Sequence, residues 1–266
     1  MIELLNGDAR RIPLADKSVH CAITSPPYWS QRKYRLKHEG IGQEKTHYQY
    51  ISELSDVGAE MWRVLKNSGV VFINLGDKYL NKNLLGIPWR VAFEFQRLGF
   101  YLRSEIIWKK PNAMPDGARD RPTTEHEHIF MLSKRKSYYY NRDKIRERPA
   151  DYKRKGGKAP YLADGSTTHG IGSSTLHQMS KLGRNKRTVW EIHTRPSPVS
   201  SLHFAAFPED LVELMVLAGC PDHGIVLDPF SGTGTTGLVA RRLGREYIGI
   251  DLSLEYSQLA KDRMYS

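Results

Sequence analysis

The chain has 266 residues and carries 40 Lys and Arg against 29 Asp and Glu, a formal charge of +11. That length supports one sizeable domain, or one domain with an inserted module, without a disulfide or metal staple. Two cysteines exclude a disulfide scaffold and the four-cysteine zinc folds, and no apolar run approaches the roughly 18 residues of a membrane span.

Met1 to Asp8 has no basic region ahead of its apolar residues, so no signal peptide is expected and the chain reads as cytoplasmic. Val19 to Thr24 is a short apolar run halted by Pro26 and Pro27, the pattern of a buried strand. Tyr50 to Lys66 places Ile51, Leu54, Met61, Trp62 and Leu65 on one helical face ahead of Gly69. Val70 to Leu75 is a second buried strand. Pro88 to Leu98 reads as a helix, with proline in its first turn and Gly99 behind its last. Tyr101 to Trp108 and Glu127 to Leu132 read as strands with no helix between them, so an antiparallel pair at a sheet edge is expected. Pro208 to Ala218 is a helix, Ile225 to Leu227 a strand, Thr235 to Leu243 a helix, Tyr247 to Ile250 a strand and Leu254 to Met264 a helix. Strands alternating with helices predict an α/β fold with a mostly parallel sheet.

The charge is concentrated. Residues 134 to 195 hold 16 basic and 5 acidic residues, the whole excess of 11. The stretch is also rich in Gly, Ser, Thr and Tyr. It is either a solvated insertion or a polyanion-binding module, because clustered Lys and Arg release counterions from phosphates. Tyr138, Tyr139, Tyr140, Tyr152 and Tyr161 interleave with the charge and offer rings to bases.

Two motifs carry chemistry. The first is Asp228-Pro229-Phe230-Ser231-Gly232-Thr233-Gly234-Thr235-Thr236-Gly237, a strand running through a glycine-rich turn into a helix. Gly232, Gly234 and Gly237 match the dinucleotide fingerprint, with Asp251 about twenty residues on. The helix N-terminus offers N–H groups to an anionic ligand. Asp228 argues otherwise: a carboxylate there would crowd a pyrophosphate and suits a cationic head, while Asp251 can accept from two ribose hydroxyls. S-adenosylmethionine (AdoMet) satisfies both at least as well as NAD. The second motif is Ser25-Pro26-Pro27-Tyr28. Two prolines remove N–H donors and fix the backbone, so the Pro26 carbonyl and Ser25 hydroxyl can accept from an exocyclic amine while Tyr28 stacks on its ring.

Asp228 to Thr236 resembles the AdoMet-binding motif of DNA methyltransferases that modify exocyclic amines. Ser25-Pro26-Pro27-Tyr28 resembles their catalytic motif in its cytosine-N4 form, since adenine-N6 enzymes usually begin it with Asp or Asn. The order, catalytic loop first and cofactor motif last, resembles the circularly permuted, beta-type arrangement. The resemblance implies a Rossmann-like AdoMet-dependent methyltransferase fold, with a catalytic domain formed by residues 1–134 and 196–266 and a target-recognition insertion over residues 135–195. It implies cofactor contacts from Asp228, Phe230, Ser231, Gly232, Gly234, Thr235 and Asp251. It adds Asp8, from the Gly7-Asp8 pair, and Phe204, from His203 to Pro208. Its expected partner is double-stranded DNA, with a flipped target base. It admits a cognate restriction enzyme and a homodimer, but no membrane. Adenine-N6 methylation, a non-catalytic DNA-binding module, an oxidoreductase and an RNA methyltransferase are the alternatives.

Other candidates are weaker. His126 and His128 would share a strand face beside Glu125 and Glu127, yet no third ligand stands out, so no metal is expected. Cytosine-C5 chemistry needs a cysteine nucleophile, whereas Cys21 and Cys220 read as small buried residues. Trp190 reads as a packing anchor where the chain re-enters the core. Lys109, Lys110 and the group from Arg32 to Lys37 are candidates for the DNA path.

Overall fold

The computed structural model describes residues 1–30, 40–147, 183–194 and 207–265. Phe204, the group from Arg32 to Lys37, and Tyr152 and Tyr161 lie outside the described residues. The main unit comprises Met1–Tyr140 and Thr188–Ser266, and Asn141–Arg187 forms a second unit. The second unit is therefore narrower than the expected insertion over 135–195. The chain rejoins the main sheet at Val189–Glu191, where Trp190 is 3% exposed and its strand pairs with Trp108 and Lys109.

The elements follow in chain order. Strands β1 (Ile2–Asn6) and β2 (Val19–Thr24) precede helix α1 (His47–Val64) and strand β3 (Leu65–Leu75). A short hairpin, β4 (Tyr79–Leu80) and β5 (Asn83–Leu84), leads to helix α2 (Ile87–Arg97). Strands β6 (Tyr101–Lys109), β7 (His126–Ser133) and β8 (Val189–Glu191) come next. Helix α3 (Glu209–Gly219), strand β9 (Ile225–Asp228), helix α4 (Thr235–Arg242), strand β10 (Glu246–Asp251) and helix α5 (Leu254–Tyr265) complete the unit.

Among the described residues, eight strands form one sheet in the order β1-β10-β9-β2-β3-β7-β6-β8. The expected antiparallel pair is β6 and β7; β7 also runs against β3, and the remaining pairings are parallel. From β2 the chain steps outward to β3, and from β9 it steps outward the other way to β10. The strand order therefore reverses between β2 and β9, which are hydrogen-bonded neighbours through Cys21↔Val226 and Ala22↔Leu227. A cleft opens beyond the carboxyl ends of strands at such a reversal. The half carrying β2 precedes the half carrying β9, which is the permuted order.

Local signals explain most boundaries. Thr46 and Gln49 form a reciprocal capping box that starts α1 three residues before the expected Tyr50. The helix stops at Val64, short of Gly69, because Leu65 already pairs with Val19 of β2. Tyr50, Leu54, Val57 and Met61 of α1, with Val91 and Phe95 of α2, bury their side chains in the core beside Val71, Ile73 and Leu75. Cys21 and Cys220 are both buried and free. Among the described residues no helix is long and apolar enough to cross a membrane.

Trp190 is the one buried residue of β8, and its strand is held to β6 over only three pairs. Trp190→Ala should lower the unfolding free energy by roughly 3 kcal/mol or more, read from urea denaturation, because a large apolar anchor leaves a cavity.

Candidate functional site

The two sequence motifs meet at the reversal of strand order. β2 ends at Thr24 and runs into Ser25-Pro26-Pro27-Tyr28; its neighbour β9 ends at Asp228 and runs into the glycine-rich turn. Thr24 Oγ1 donates to Asp228 Oδ1 at 2.8 Å across this seam, and both residues are nearly inaccessible. Thr236 Oγ1, in the first turn of α4, donates to Oδ2 at 2.7 Å, and the Phe230 N–H donates to Oδ1 at 3.1 Å. Burial pushes the Asp228 carboxyl up to about 6, against the pull of the Thr236 and Thr24 hydroxyls. Asp251, at the end of β10, is also raised by burial, while its oxygens accept from the N–H groups of Gly232 (2.9 Å) and Ser253 (2.8 Å).

The glycine-rich turn is wired inward. Phe230 N–H goes to Asp228, Ser231 N–H to the Ile250 carbonyl, Gly232 N–H to Asp251 and Gly234 N–H to the Ser231 carbonyl. The N–H donors of these four residues, ahead of the first turn of α4, therefore already have partners within the fold. What the turn presents instead is two desolvated carboxylates at adjacent strand ends. A cationic ligand lowers the cost of ionising both, and a pyrophosphate raises it. Asp251 keeps lone pairs beyond its two backbone bonds, so it can still accept from a pair of hydroxyls.

Other predicted positions have mixed environments. Ser231 Oγ shares a hydrogen bond with the Tyr247 hydroxyl at 2.9 Å, inside the fold. Thr235 Oγ1 lies 3.4 Å from the Arg263 guanidinium. Gly234 has φ +78, and a Cβ there would lie 2.5 Å from Met264 Cε and 2.8 Å from Ala260 Cβ, so it allows α5 to close over the turn. Phe230 is partly buried against the core. Asp8 follows β1, and its carboxylate sits on the Arg10 guanidinium at 2.9 Å, which in turn holds Glu53. Burial works against its ionisation, yet the Arg10 bonds prevail and hold the carboxyl below its usual range. Gly7 N–H donates to the Asp251 carbonyl at 3.1 Å, tying the Asp8 loop to the end of β10.

The proline loop is braced from behind. Tyr50 Oη of α1 donates to the Pro27 carbonyl at 2.9 Å, and Trp29 Nε1 donates to the Glu44 carbonyl at 2.9 Å. Tyr28 Oη donates to Glu127 Oε2 at 2.6 Å. Burial, reinforced by the Glu127 charge, pushes the Tyr28 hydroxyl well above its ordinary range, so it stays protonated. Asn74 Nδ2, at the end of β3, donates to Tyr28 Oη at 2.8 Å and to Glu127 Oε2 at 2.7 Å. Lys110 Nζ pairs with the other Glu127 oxygen. Ser25 Oγ lies 3.4 Å from both Tyr28 Oη and Asn74 Nδ2, and is half-buried. The ring of Tyr28 packs on Gly76, where a Cβ would lie 2.7 Å from Cε2.

Thr236, within the glycine-rich motif, and Thr24, Tyr50, Asn74 and Glu127, outside the two motifs, hold the candidate site together through these bonds. Asn74 had a signal: it is the one polar residue in the apolar run Val70–Leu75 that ends β3. Its Oδ1 is buried without a partner among the described residues. Glu127 stood in the histidine cluster, where His128 Nδ1 instead meets Glu105 Oε1 at 2.7 Å.

Thr24→Val removes one hydroxyl donor from a buried carboxylate while keeping the side-chain shape. It should destabilise the protein by about 1.5–3 kcal/mol at neutral pH in chemical denaturation, the range for a hydrogen bond to a charged group.

A family model described as DNA methylase matches residues 19–262. The Type II methyltransferase M.SmaI of Serratia marcescens is 39% identical, over 98% of this chain and 90% of its own length. M.Cfr9I of Citrobacter freundii, another Type II methyltransferase, is 37% identical over 98% and 87%. A DNA modification methylase from Thermus thermophilus, solved with S-adenosyl-L-methionine, superposes with a TM-score of 0.65 at 27% identity over 99% of this chain and 93% of that one. The cytosine-N4-specific PvuII DNA methyltransferase shares the fold, with a TM-score of 0.73 at 19% identity over 98% and 86%. With its two motifs joined at the strand-order reversal and a family match across nearly its whole length, the chain belongs to the DNA methylase family of N6- and N4-directed methyltransferases.

Proposed function

We propose that this DNA methyltransferase transfers the methyl group of AdoMet to the N4 amine of a cytosine turned out of double-stranded DNA. The observation that carries the base assignment is Ser25 at the head of the proline loop, where the N6 form of the motif usually has Asp or Asn. The cytosine-N4-specific name of one structural neighbour supports it. The relatives' Type II names support a modification enzyme that works beside a restriction enzyme.

AdoMet fits the donors present. Asp251 would take the ribose hydroxyls, the turn around Phe230 and Gly232 would border the nucleoside, and buried Asp228 would favour the cationic methionine end through its field. Asp8 would approach from the end of β1. Bound there, AdoMet supplies an electrophilic methyl group. The protein's own part is to hold the amine. Tyr28 would offer its ring to the base, while Glu127 and Asn74 fix the hydroxyl end of that ring. Tyr50 takes up the Pro27 carbonyl, which leaves the Pro26 carbonyl and the Ser25 hydroxyl to accept from the two N4 hydrogens. Both bonds draw the nitrogen lone pair out of ring conjugation, toward the methyl. Rate then comes from positioning and electrostatics rather than from a covalent intermediate.

The decisive measurement is product analysis of unmethylated duplex DNA treated with enzyme and AdoMet, digested and read by mass spectrometry. N4-methylcytosine is expected; N6-methyladenine would keep the family and overturn the base assignment. Ser25→Ala should lower turnover more than DNA affinity, and Tyr28→Ala should lower both. Cofactor affinity gives a separate check. A carboxyl raised to about 6 is protonated in acid, and a bound cation favours its ionised form. AdoMet affinity should therefore rise with pH between about 5 and 7, by up to about tenfold per unit, and level off above that. Asp228→Asn should flatten this slope in equilibrium dialysis.

A further inference from the structure

An exocyclic amine begins with two N–H bonds and its methylated form keeps one, so a proton has to leave the site in every turnover. In the reaction proposed above Ser25 Oγ faces the amine, but a serine hydroxyl does not hold a second proton at neutral pH. Its O–H donates to Tyr28 Oη at 3.4 Å. The Tyr28 O–H in turn donates to Glu127 Oε2 at 2.6 Å. Both hydroxyls point the same way, from the proline loop toward one carboxylate. Asn74 Nδ2 lies within hydrogen-bonding distance of all three oxygens, at 3.4 Å from Ser25 Oγ, 2.8 Å from Tyr28 Oη and 2.7 Å from Glu127 Oε2. An NH2 group only donates, so Asn74 takes no proton from this chain of bonds and does not reverse its direction. Asn74 is 1% exposed, which keeps the order of these bonds inside the fold.

The carboxylate at the end of this chain of bonds is not a sealed core ion. Its other oxygen pairs with Lys110 Nζ, and the side chains of Glu127 and Lys110 are 15% and 20% exposed. The Lys110 charge favours the ionised carboxylate before a proton arrives, and the exposure lets that proton pass to water afterwards. Lys110 is itself held 4.4 Å over the Trp108 ring. The titratable groups bonded to Glu127 are Lys110 and Tyr28. Its neighbours on β7, His126 and His128, face away from it because side chains alternate along a strand, and His128 Nδ1 meets Glu105 Oε1 instead.

We propose that Glu127 accepts the proton released by the methylated amine, through the hydroxyls of Ser25 and Tyr28. This rests on the DNA-methylating function proposed above. The N–H bond of the amine breaks and its proton joins Ser25 Oγ. The Ser25 proton joins Tyr28 Oη, and the Tyr28 proton joins Glu127 Oε2. The positive charge of the amine cancels the negative charge of Glu127, both hydroxyls are restored, and no oxidant or further reactant enters. Burial keeps the Tyr28 hydroxyl protonated, so Oη gains one proton as it gives up another and no tyrosinate forms. Lys110 is left beside a neutral acid, which returns its proton to water.

The test uses the full-length protein, AdoMet and a DNA duplex carrying a site that the wild-type enzyme labels. Tyr28→Phe keeps the ring and removes the relaying hydroxyl. Glu127→Gln keeps the shape and an acceptor oxygen for Tyr28 but removes the charge. Each should lower the single-turnover rate at neutral pH about tenfold or more, while equilibrium affinities for AdoMet and for the duplex stay within about twofold of wild type. The double variant should be no slower than the slower single one, because both cut the same path. As pH rises above neutral, the variant rates should climb toward the wild-type rate, since hydroxide then takes the proton directly. Wild-type rates in both variants, losses that multiply in the double variant, or losses that stay fixed as pH rises would overturn the relay and leave the function standing. So would a fall in AdoMet or DNA affinity as large as the fall in rate, which would give the network a structural role alone. A wild-type chain that labels no DNA would overturn both.

Discussion

The hydrogen bond from Thr24 to Asp228 is the constraint on which the rest of the site depends. It spans 204 positions of sequence at 2.8 Å and joins the last residues of two adjacent parallel strands. A buried carboxylate is costly unless every oxygen is satisfied. Here the satisfaction comes from three places: the strand before the proline loop, the first turn of α4, and the backbone of the turn itself. Neither loop can shift without stranding Asp228. The distance between the group that would carry the methyl donor and the group that would hold the amine is set by that one carboxylate.

A second, partly buried carboxylate does similar work behind the proline loop. Glu127 gathers Tyr28, Asn74 and Lys110, one each from the loop, the end of β3 and the strand exit after β6. Because a carboxylate only accepts, it dictates that the Asn74 amide turn its NH2 toward it and that the Tyr28 hydroxyl donate. The Tyr28 ring is thereby held along its Cδ2–Cε2 edge by Gly76 and at its hydroxyl by the network. A ring that would receive a flat base gains from such rigidity, because an ordering cost met in folding is not met again on binding.

Much of this was legible in the chain itself. The alternating buried strands and amphipathic helices, the two loop motifs and their order along the sequence appear in the structure close to where the residues placed them. What was not legible has physical causes. β1 spans five residues and β8 three; such strands have little pattern of their own and exist because β10 and β6 offer them a partner. The hairpin turn uses Asn81 and Lys82 without a glycine, so its usual sign is missing. Glu127 and Asn74 acquire their roles from strand register, which brings positions 53 residues apart into hydrogen-bonding distance. Sequence spacing does not show where the N–H donors of Ser231 and Gly232 go, and only the end of β10 reveals that Ile250 and Asp251 claim them.

The permuted strand order has a consequence for how the protein comes into being. During synthesis β2 emerges early and its partner β9 some two hundred residues later, so the pairing that creates the cleft is among the most non-local contacts in the molecule. Such contacts form late and slow folding, and until then the edge of β2 stands open. A nascent chain on the ribosome therefore has its Ser25-Pro26-Pro27-Tyr28 loop long before it has the glycine-rich turn that would face it. Under the proposed function, catalytic competence would wait on that last pairing.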